Sequence, residues 1–222
     1  MISKKYLKSL DLLRQDIMEM SKISQRSLHE AILALKKRDT EAKEVFHLEK
    51  IADNIYLKIE ERSIQMVALY QPVASDLRFL TSSMTVGACL ERIADYSIDI
   101  AKIIQYVENE KENIETVFEM SKIAEKMIID STFAFINKNE KKVEAVLENE
   151  EAIDKLYGSM FSELYKFISN AILNGEKNKR ESAYIVAINF LLIARYLERI
   201  GDHSVNIANK TMYAIKGEKE YL

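Results

Sequence analysis

Tryptophan is absent from this 222-residue chain, cysteine and proline occur once each, and glycine occurs only five times. Each scarcity excludes something. Five glycines and one proline cannot punctuate the many tight turns of a β-sandwich or barrel. A single cysteine excludes a disulfide scaffold and any cysteine-based zinc or iron–sulfur centre. Charge of one sign is also lacking: 32 Lys and Arg stand against 35 Asp and Glu, so no basic field points to nucleic acid. The longest apolar run, Tyr184 to Leu197, contains Asn189 and Arg195 and falls short of the ~20 residues of a membrane span. The opening Met1-Ile2-Ser3-Lys4-Lys5-Tyr6 leads into charge-broken sequence without a signal-peptide core. A reducing, cytoplasmic setting is expected.

What is present is helical periodicity. The rare polar junctions cut the chain into six segments, roughly 4–36, 40–69, 73–107, 114–136, 140–173 and 179–215, each with apolar residues at helical spacing. Pro72 suits the first turn of the third. A helix of some 34 residues is ~50 Å long and must pack against others in a bundle.

The chain also repeats itself. Leu90-Glu91-Arg92-Ile93-Ala94-Asp95-Tyr96-Ser97-Ile98-Asp99-Ile100-Ala101 recurs as Leu197-Glu198-Arg199-Ile200-Gly201-Asp202-His203-Ser204-Val205-Asn206-Ile207-Ala208. Lys37, Val45, Glu49, Asp53 and Tyr56 recur as Lys138, Val146, Glu150, Asp154 and Tyr157. The first echo has an offset of 107 and the second of 101, which implies about six extra residues around 174–179. An internal duplication follows. The expected fold is all-α: two tandem three-helix bundles, residues 1–109 and 110–222.

The repeats carry paired acids. Glu49/Asp53 with Glu91/Asp95, and Glu150/Asp154 with Glu198/Asp202, are i,i+4 pairs on one side of a helix. Composition alone makes about five acid–acid pairs at that spacing, so one pair means little. Placement is informative: every pair interrupts an apolar stripe, such as Ala187, Leu191, Ala194 and Val205 around Glu198. Carboxylates near a helix seam are costly unless neutralised. Two facing pairs gather four of them, and a cation with oxygen ligands neutralises all at once. Asp99 extends the first row by a turn, and its counterpart is Asn206. Oxygen-only ligands suit Mg²⁺, Mn²⁺, Ca²⁺ or iron better than Zn²⁺. The bland alternative is pairing across helices with Arg92, Arg199 or Lys50, or protonation.

Other signals are weaker. Glu44-x-x-His47 occurs once, whereas a ferritin-like di-iron enzyme needs two such motifs on different helices. His203 has Tyr96 in the matching place, so it cannot be a ligand in both units. His29 suits a helix surface or seam, and Cys89, Met18, Met20, Met66 and Met84 read as core filler. Walker, dinucleotide-binding and Gly-x-Ser-x-Gly motifs are missing.

The stretch Leu197–Ala208 resembles the signature of the PhoU family, phosphate-transport accessory regulators, and Tyr70-Gln71-Pro72-Val73-Ala74-Ser75-Asp76-Leu77-Arg78 resembles that family's second motif. The resemblance covers the whole chain. It implies a cytoplasmic, homodimeric regulator rather than an enzyme. Its implied partners are the ATPase subunit of the phosphate ABC transporter and a sensor histidine kinase, with membrane association only through partners and with the starvation response repressed when phosphate is plentiful. It implies divalent or multinuclear metal, iron foremost, at Glu49, Asp53, Glu91, Asp95 and Asp99, and at Glu150, Asp154, Glu198, Asp202 and Asn206. A carboxylate-bridged metalloenzyme and a helper of another phosphate permease are the alternatives. Two departures stand out. Ala183-Tyr184-Ile185 replaces Asp76-Leu77-Arg78 in the second half, so that acid–base pair bridges helices in one unit only. Ala94 matches Gly201, which would alter helix approach there.

Overall fold

The computed structural model describes residues 4–107, 114–174 and 177–217. They form six helices: α1 (Lys4–Lys37), α2 (Lys43–Tyr70), α3 (Ala74–Val107), α4 (Glu115–Asn137), α5 (Glu140–Asn174) and α6 (Lys177–Lys216). No strand occurs among the described residues. The helices start and stop within three residues of the breaks in the sequence. Pro72 is an exception: it lies in the α2–α3 connection, ahead of α3 rather than in its first turn. Its neighbours Gln71 and Ala74 take left-handed backbone, with φ 46° at both. Of the expected insertion at 174–179 only 175 and 176 lie outside the described residues; α5 runs to Asn174 and α6 starts at Lys177, so extra length goes into these helices, 35 and 40 residues against 28 and 34 in α2 and α3.

Helices α1, α2 and α3 pack on one another, as do α4, α5 and α6, and the two trios join through α3 against α6 and α1 against α4. One continuous core results. Leu13, Ile17, Met20, Leu28 and Leu35 of α1 are fully buried with Leu80, Leu90, Ile93 and Ile104 of α3 and Phe190, Leu197 and Ile200 of α6. Met66 also belongs to this core, but Met18 does not; it is exposed on α1. Phe79 stacks on Phe135 across the two trios, with ring centroids 5.0 Å apart. Buried serines let the helices approach closely. Their hydroxyls donate to the preceding turn, as in Ser97 to Ile93 and its counterpart Ser204 to Ile200, 3.0 Å each, so no donor is orphaned there. Ser24 also reaches across to the Leu90 carbonyl at 2.8 Å.

The structure exposes a third echo. Glu19-Met20-Ser21-Lys22-Ile23 of α1 recurs unchanged as Glu119-Met120-Ser121-Lys122-Ile123 of α4, at an offset of 100. Both helices end alike. Arg38 and Lys138 take left-handed backbone, φ 56° and 53°, and the next N–H donates to the carbonyl of Ala34 or Ala134 at 3.0 Å. Matching positions of the two copies also touch each other: Gln25 Nε2 donates to Glu125 at 3.2 Å, and Tyr96 and His203 rings lie 5.7 Å apart. Self-contact of equivalent positions is the mark of a twofold relation.

Departures from symmetry are local. The Tyr6 hydroxyl donates to Asp76 at 2.9 Å, which ties α1 to α3 in the first trio; of the Asp76/Arg78 pair the acid makes this bridge, while Arg78 Nε is buried without a hydrogen bond. Burial and the Asp76 charge push the Tyr6 phenol up to about 12. Gly87 allows a close approach of α2: a Cβ there would meet Ile59 at 3.2 Å and Tyr56 at 3.3 Å. Gly201 is not needed in that way. A Cβ at 201 would find ordinary contacts, Ile153 at 3.5 Å and Met127 at 3.7 Å, so Ala94 in the matching place does not alter the helix approach.

Gly158 sits in the middle of α5, with open space where an alanine methyl would lie. Glycine there costs roughly 0.5–1 kcal/mol relative to alanine. Gly158→Ala is therefore predicted to raise the thermal midpoint by about 1–4 °C for a chain of this size. An unchanged or lower midpoint in a calorimetric melt would contradict the packing described.

Candidate functional site

Two seams carry the acids. On the first, Glu49 and Asp53 of α2 face Glu91 and Asp95 of α3; on the second, Glu150 and Asp154 of α5 face Glu198 and Asp202 of α6. Helical periodicity fixes this. In α3, Leu90, Ile93, Ala94 and Ser97 turn into the core, which leaves Glu91 and Asp95 at the rim of the α2 contact. In α6, Leu197, Ile200, Gly201 and Ser204 do the same for Glu198 and Asp202. All of these acids except Asp154, which is exposed, are half-buried. They belong to the edge of the seam, not to the core.

Charge reaches across each seam. Burial raises the proton affinity of Glu49, and the charges of Asp53 and Asp95 add to it. Glu91 is raised by burial first, then by Asp95, with Asp53 and Glu49 contributing and Arg92 opposing. Asp95 is raised by burial against the pull of Arg92. On the second seam Glu150 is raised by burial, then by Asp154 and Asp202. Glu198 is raised by burial and Asp202, against Arg195 and Arg199. The two dyads of each seam thus lie within reach of one another's charge.

Arginines answer part of the repulsion, each from its own helix rather than across the seam. Arg92 Nη1 donates to Asp95 at 2.9 Å, and Arg92 Nε stands 3.7 Å from Glu91. Arg199 Nη1 donates to Asp202 at 3.1 Å, and Arg195 Nη1 to Glu198 at 2.7 Å. Arg195 was not anticipated, although its i,i+3 spacing to Glu198 was readable; its counterpart in the first unit is Ala88. Glu198 Oε2 is buried without a hydrogen bond, with Arg199 Nε at 3.9 Å. Asp99 carries the first row onward but is held by Lys102 at 3.2 Å, and Asn206 is exposed.

The donor set is all oxygen, which fits a hard divalent cation. Among the described residues, however, no three His, Cys, Asp or Glu side chains converge as a metal-holding group. Each seam is a row of carboxylates, part of it paired with arginines of the same helix. Beside the second seam lies a cleft of about 290 Å³, lined by Glu150, Arg199, Asp202, His203 and Asn206 together with Tyr96 from the first unit. His203 is half-buried against Tyr96, and burial lowers its proton affinity.

The remaining candidates resolve simply. Glu44 accepts from Arg26 at 2.7 Å and His47 is exposed, so that lone Glu-x-x-His is a surface feature. His29 Nδ1 lies 3.2 Å from Glu125 at the α1–α4 contact. Cys89 is a buried core thiol pushed up to about 11 by burial. No helix among the described residues is long and apolar enough to cross a membrane.

A pH effect follows from the raised carboxylates. Each binds its proton more tightly in the folded chain than in the unfolded one. Its contribution to stability is full below the unfolded value and is lost as pH rises through the folded value. In chelator, Glu49→Gln plus Glu91→Gln should raise the thermal midpoint at pH 7, since relieved like-charge pairs are worth about 0.2–0.5 kcal/mol each. The gain should shrink as pH falls into the carboxylate range. A midpoint lowered at pH 7, or a gain that grows on acidification, would refute the repulsion.

Comparison with known proteins places this arrangement. A family model described as PhoU domain matches twice, over residues 17–104 and 117–211. The phosphate-specific transport system accessory protein PhoU homolog of Clostridium acetobutylicum is 30% identical over 223 residues, spanning 99% of this chain and 98% of its own. Homolog 1 of Methanothermobacter thermautotrophicus is 29% identical over 96% of this chain and 95% of its own. The crystal structure of the phosphate transport system regulatory protein PhoU from Streptococcus pneumoniae superposes with a TM-score of 0.84 at 25% identity, covering 98% of this chain and 100% of that one. PhoU from Pseudomonas aeruginosa shares the fold, with a TM-score of 0.84 at 24% identity over 96% of this chain and 100% of its own. With the domain matched twice and full-length relatives of this similarity, the chain belongs to the PhoU family.

Proposed function

We propose that this chain is a non-catalytic regulator of phosphate uptake. It links the ATPase subunit of a phosphate ABC transporter to a sensor histidine kinase and restrains the starvation response when phosphate is plentiful. The supporting observation is the end-to-end match to proteins named as accessory or regulatory components of phosphate transport. The site chemistry agrees with a binding role. Neither seam presents a nucleophile beside a general base; each presents carboxylates and arginines. The protein works in the cytoplasm, as a homodimer, and meets the membrane only through its partners.

Cation binding is part of this reading. Glu49, Asp53, Glu91, Asp95 and Asp99 would hold one divalent ion or cluster, and Glu150, Asp154, Glu198, Asp202 and Asn206 another. When bound, the metal supplies positive charge between facing carboxylates. The chain's own part is to make room for it: Arg92, Arg195 and Arg199 must release their acids. Arg92 and Arg199 are well exposed, so breaking each of their surface pairs costs no more than about 1 kcal/mol. Among oxygen-preferring ions iron is favoured, with Mg²⁺, Mn²⁺ and Ca²⁺ as alternatives. The first seam should bind more tightly, because Asp99 adds an acid where the second has Asn206, and Arg195 has no counterpart there.

Two measurements test this. The full chain, expressed at its normal level, should co-purify with the transporter ATPase and the sensor kinase, and its loss should derepress phosphate-uptake genes in phosphate-rich medium. Association with neither partner would refute the regulatory role. Separately, freshly purified protein should contain metal, and Asp95→Asn plus Asp202→Asn should deplete it; undiminished content would remove these residues from the site.

A further inference from the structure

The apolar run Tyr184–Leu197 does not lie wholly in the core. Val186, Phe190, Ile193 and Leu197 are buried, but Ile188 and Leu192 are 59% and 44% exposed on α6. On α5, Phe161 and Tyr165 are 54% and 73% exposed. The antiparallel register brings these together. Asp154 sits within charge reach of Glu198, and Arg195 lies 5.9 Å over the Tyr157 ring, so the next two turns of α5 set Phe161 beside Leu192 and Tyr165 beside Ile188. The Tyr157 ring packs edge-on against Phe161 at 5.7 Å, which continues the strip from the acidic seam.

The first unit lacks this strip. Glu60 stands at the place of Phe161, and Thr81 and Thr85 stand at the places of Ile188 and Leu192. Only Ile64, at the place of Tyr165, is apolar. Helix propensity does not require the difference, and burial does not use it. The strip also has a polarity. One turn beyond Tyr157 it runs into Asp154, with Glu150 and Asp202 next to it and exposed Glu148 and Glu151 on the same stretch of α5. An apolar ridge ending in carboxylates selects for its complement.

We propose that the α5–α6 edge of the second unit docks a helix of a partner protein that presents apolar side chains at i, i+3, i+4 and i+7 and Lys or Arg in the turn that follows. The apolar face covers Phe161, Tyr165, Ile188 and Leu192, and the basic turn meets Asp154 and Glu150, since Asp202 is already paired with Arg199. The partner helix lies along the strip, with the charge pair setting its direction. The proposal goes beyond the regulatory reading and names the chemistry of a contact; it needs no metal.

The test uses the full chain in chelator, so its outcome does not depend on cation binding. The probe is a fluorescein-labelled peptide of about four helical turns, with Leu at the four apolar positions and two Lys in the last turn. Fluorescence anisotropy should show saturable binding. Ile188→Asp plus Leu192→Asp, and separately Phe161→Glu on the facing helix, should weaken it about tenfold. Thr81→Asp plus Thr85→Asp in the first unit should change it less than about twofold, and Glu for Lys in the peptide should weaken it about tenfold. All substitutions are at exposed or rim positions, and helical melts confirm folding. Absent binding, or binding indifferent to these changes, overturns the proposal. So does sedimentation showing self-association that Ile188→Asp plus Leu192→Asp abolishes, because the occupant would then be a second copy of this chain.

Discussion

Helix α3 lies against helix α6, and the rest of the molecule is arranged by that contact. The two carry the same signature at an offset of 107, and each must bury the same apolar face. Ile93, Ile100 and Ile104 of one and Ile200 and Ile207 of the other are fully buried. Once those faces are committed, 3.6-residue periodicity leaves no choice about the acids. Glu91 and Asp95 must point toward α2, and Glu198 and Asp202 toward α5. The carboxylates reach the seams because the core is where it is.

That arrangement works against the fold. Four carboxylates line each seam, all but the exposed Asp154 partly desolvated, and five of the eight hold their protons more tightly than free acids do. Arginines on the same helices ease the strain locally, yet a buried oxygen of Glu198 still lacks a hydrogen bond. Residues that oppose stability and recur in both copies of a duplicated chain point to binding. The penalty per pair is small, so the core tolerates it.

Much of this was legible in the sequence. Sparse breakers marked the six helices because so few residues could interrupt them, and the apolar stripes around the acid pairs marked the seams. What was missed has physical reasons. The Glu19–Ile23 echo in α4 sits at an offset of 100, since the inter-helix connections differ in length, so a search at 107 passes it by. Pro72 stands before α3 because the chain reverses through left-handed residues on either side of it. Met18 and the strip of Ile188 and Leu192 are apolar at helical spacing, and spacing alone cannot say which apolar face finds a partner. Asp154 and Asn206 lie further out than their neighbours along the seam because each sits at the solvent side of its helix turn. The arginine pairs form within a helix because i,i+3 neighbours meet without any demand on tertiary structure.

On the proposed reading, a divalent cation is the partner that relieves the repulsion among the seam carboxylates. The most direct measurement is the thermal midpoint of chelated wild-type protein as Mn²⁺ is added, at neutral pH and again at a pH within the raised carboxylate range. Binding to the folded state alone raises stability with the logarithm of cation concentration. The midpoint should rise in that way at neutral pH and lose the rise on acidification, as protons take the oxygens. A midpoint indifferent to Mn²⁺, or a rise that survives protonation, would contradict cation binding by these acids.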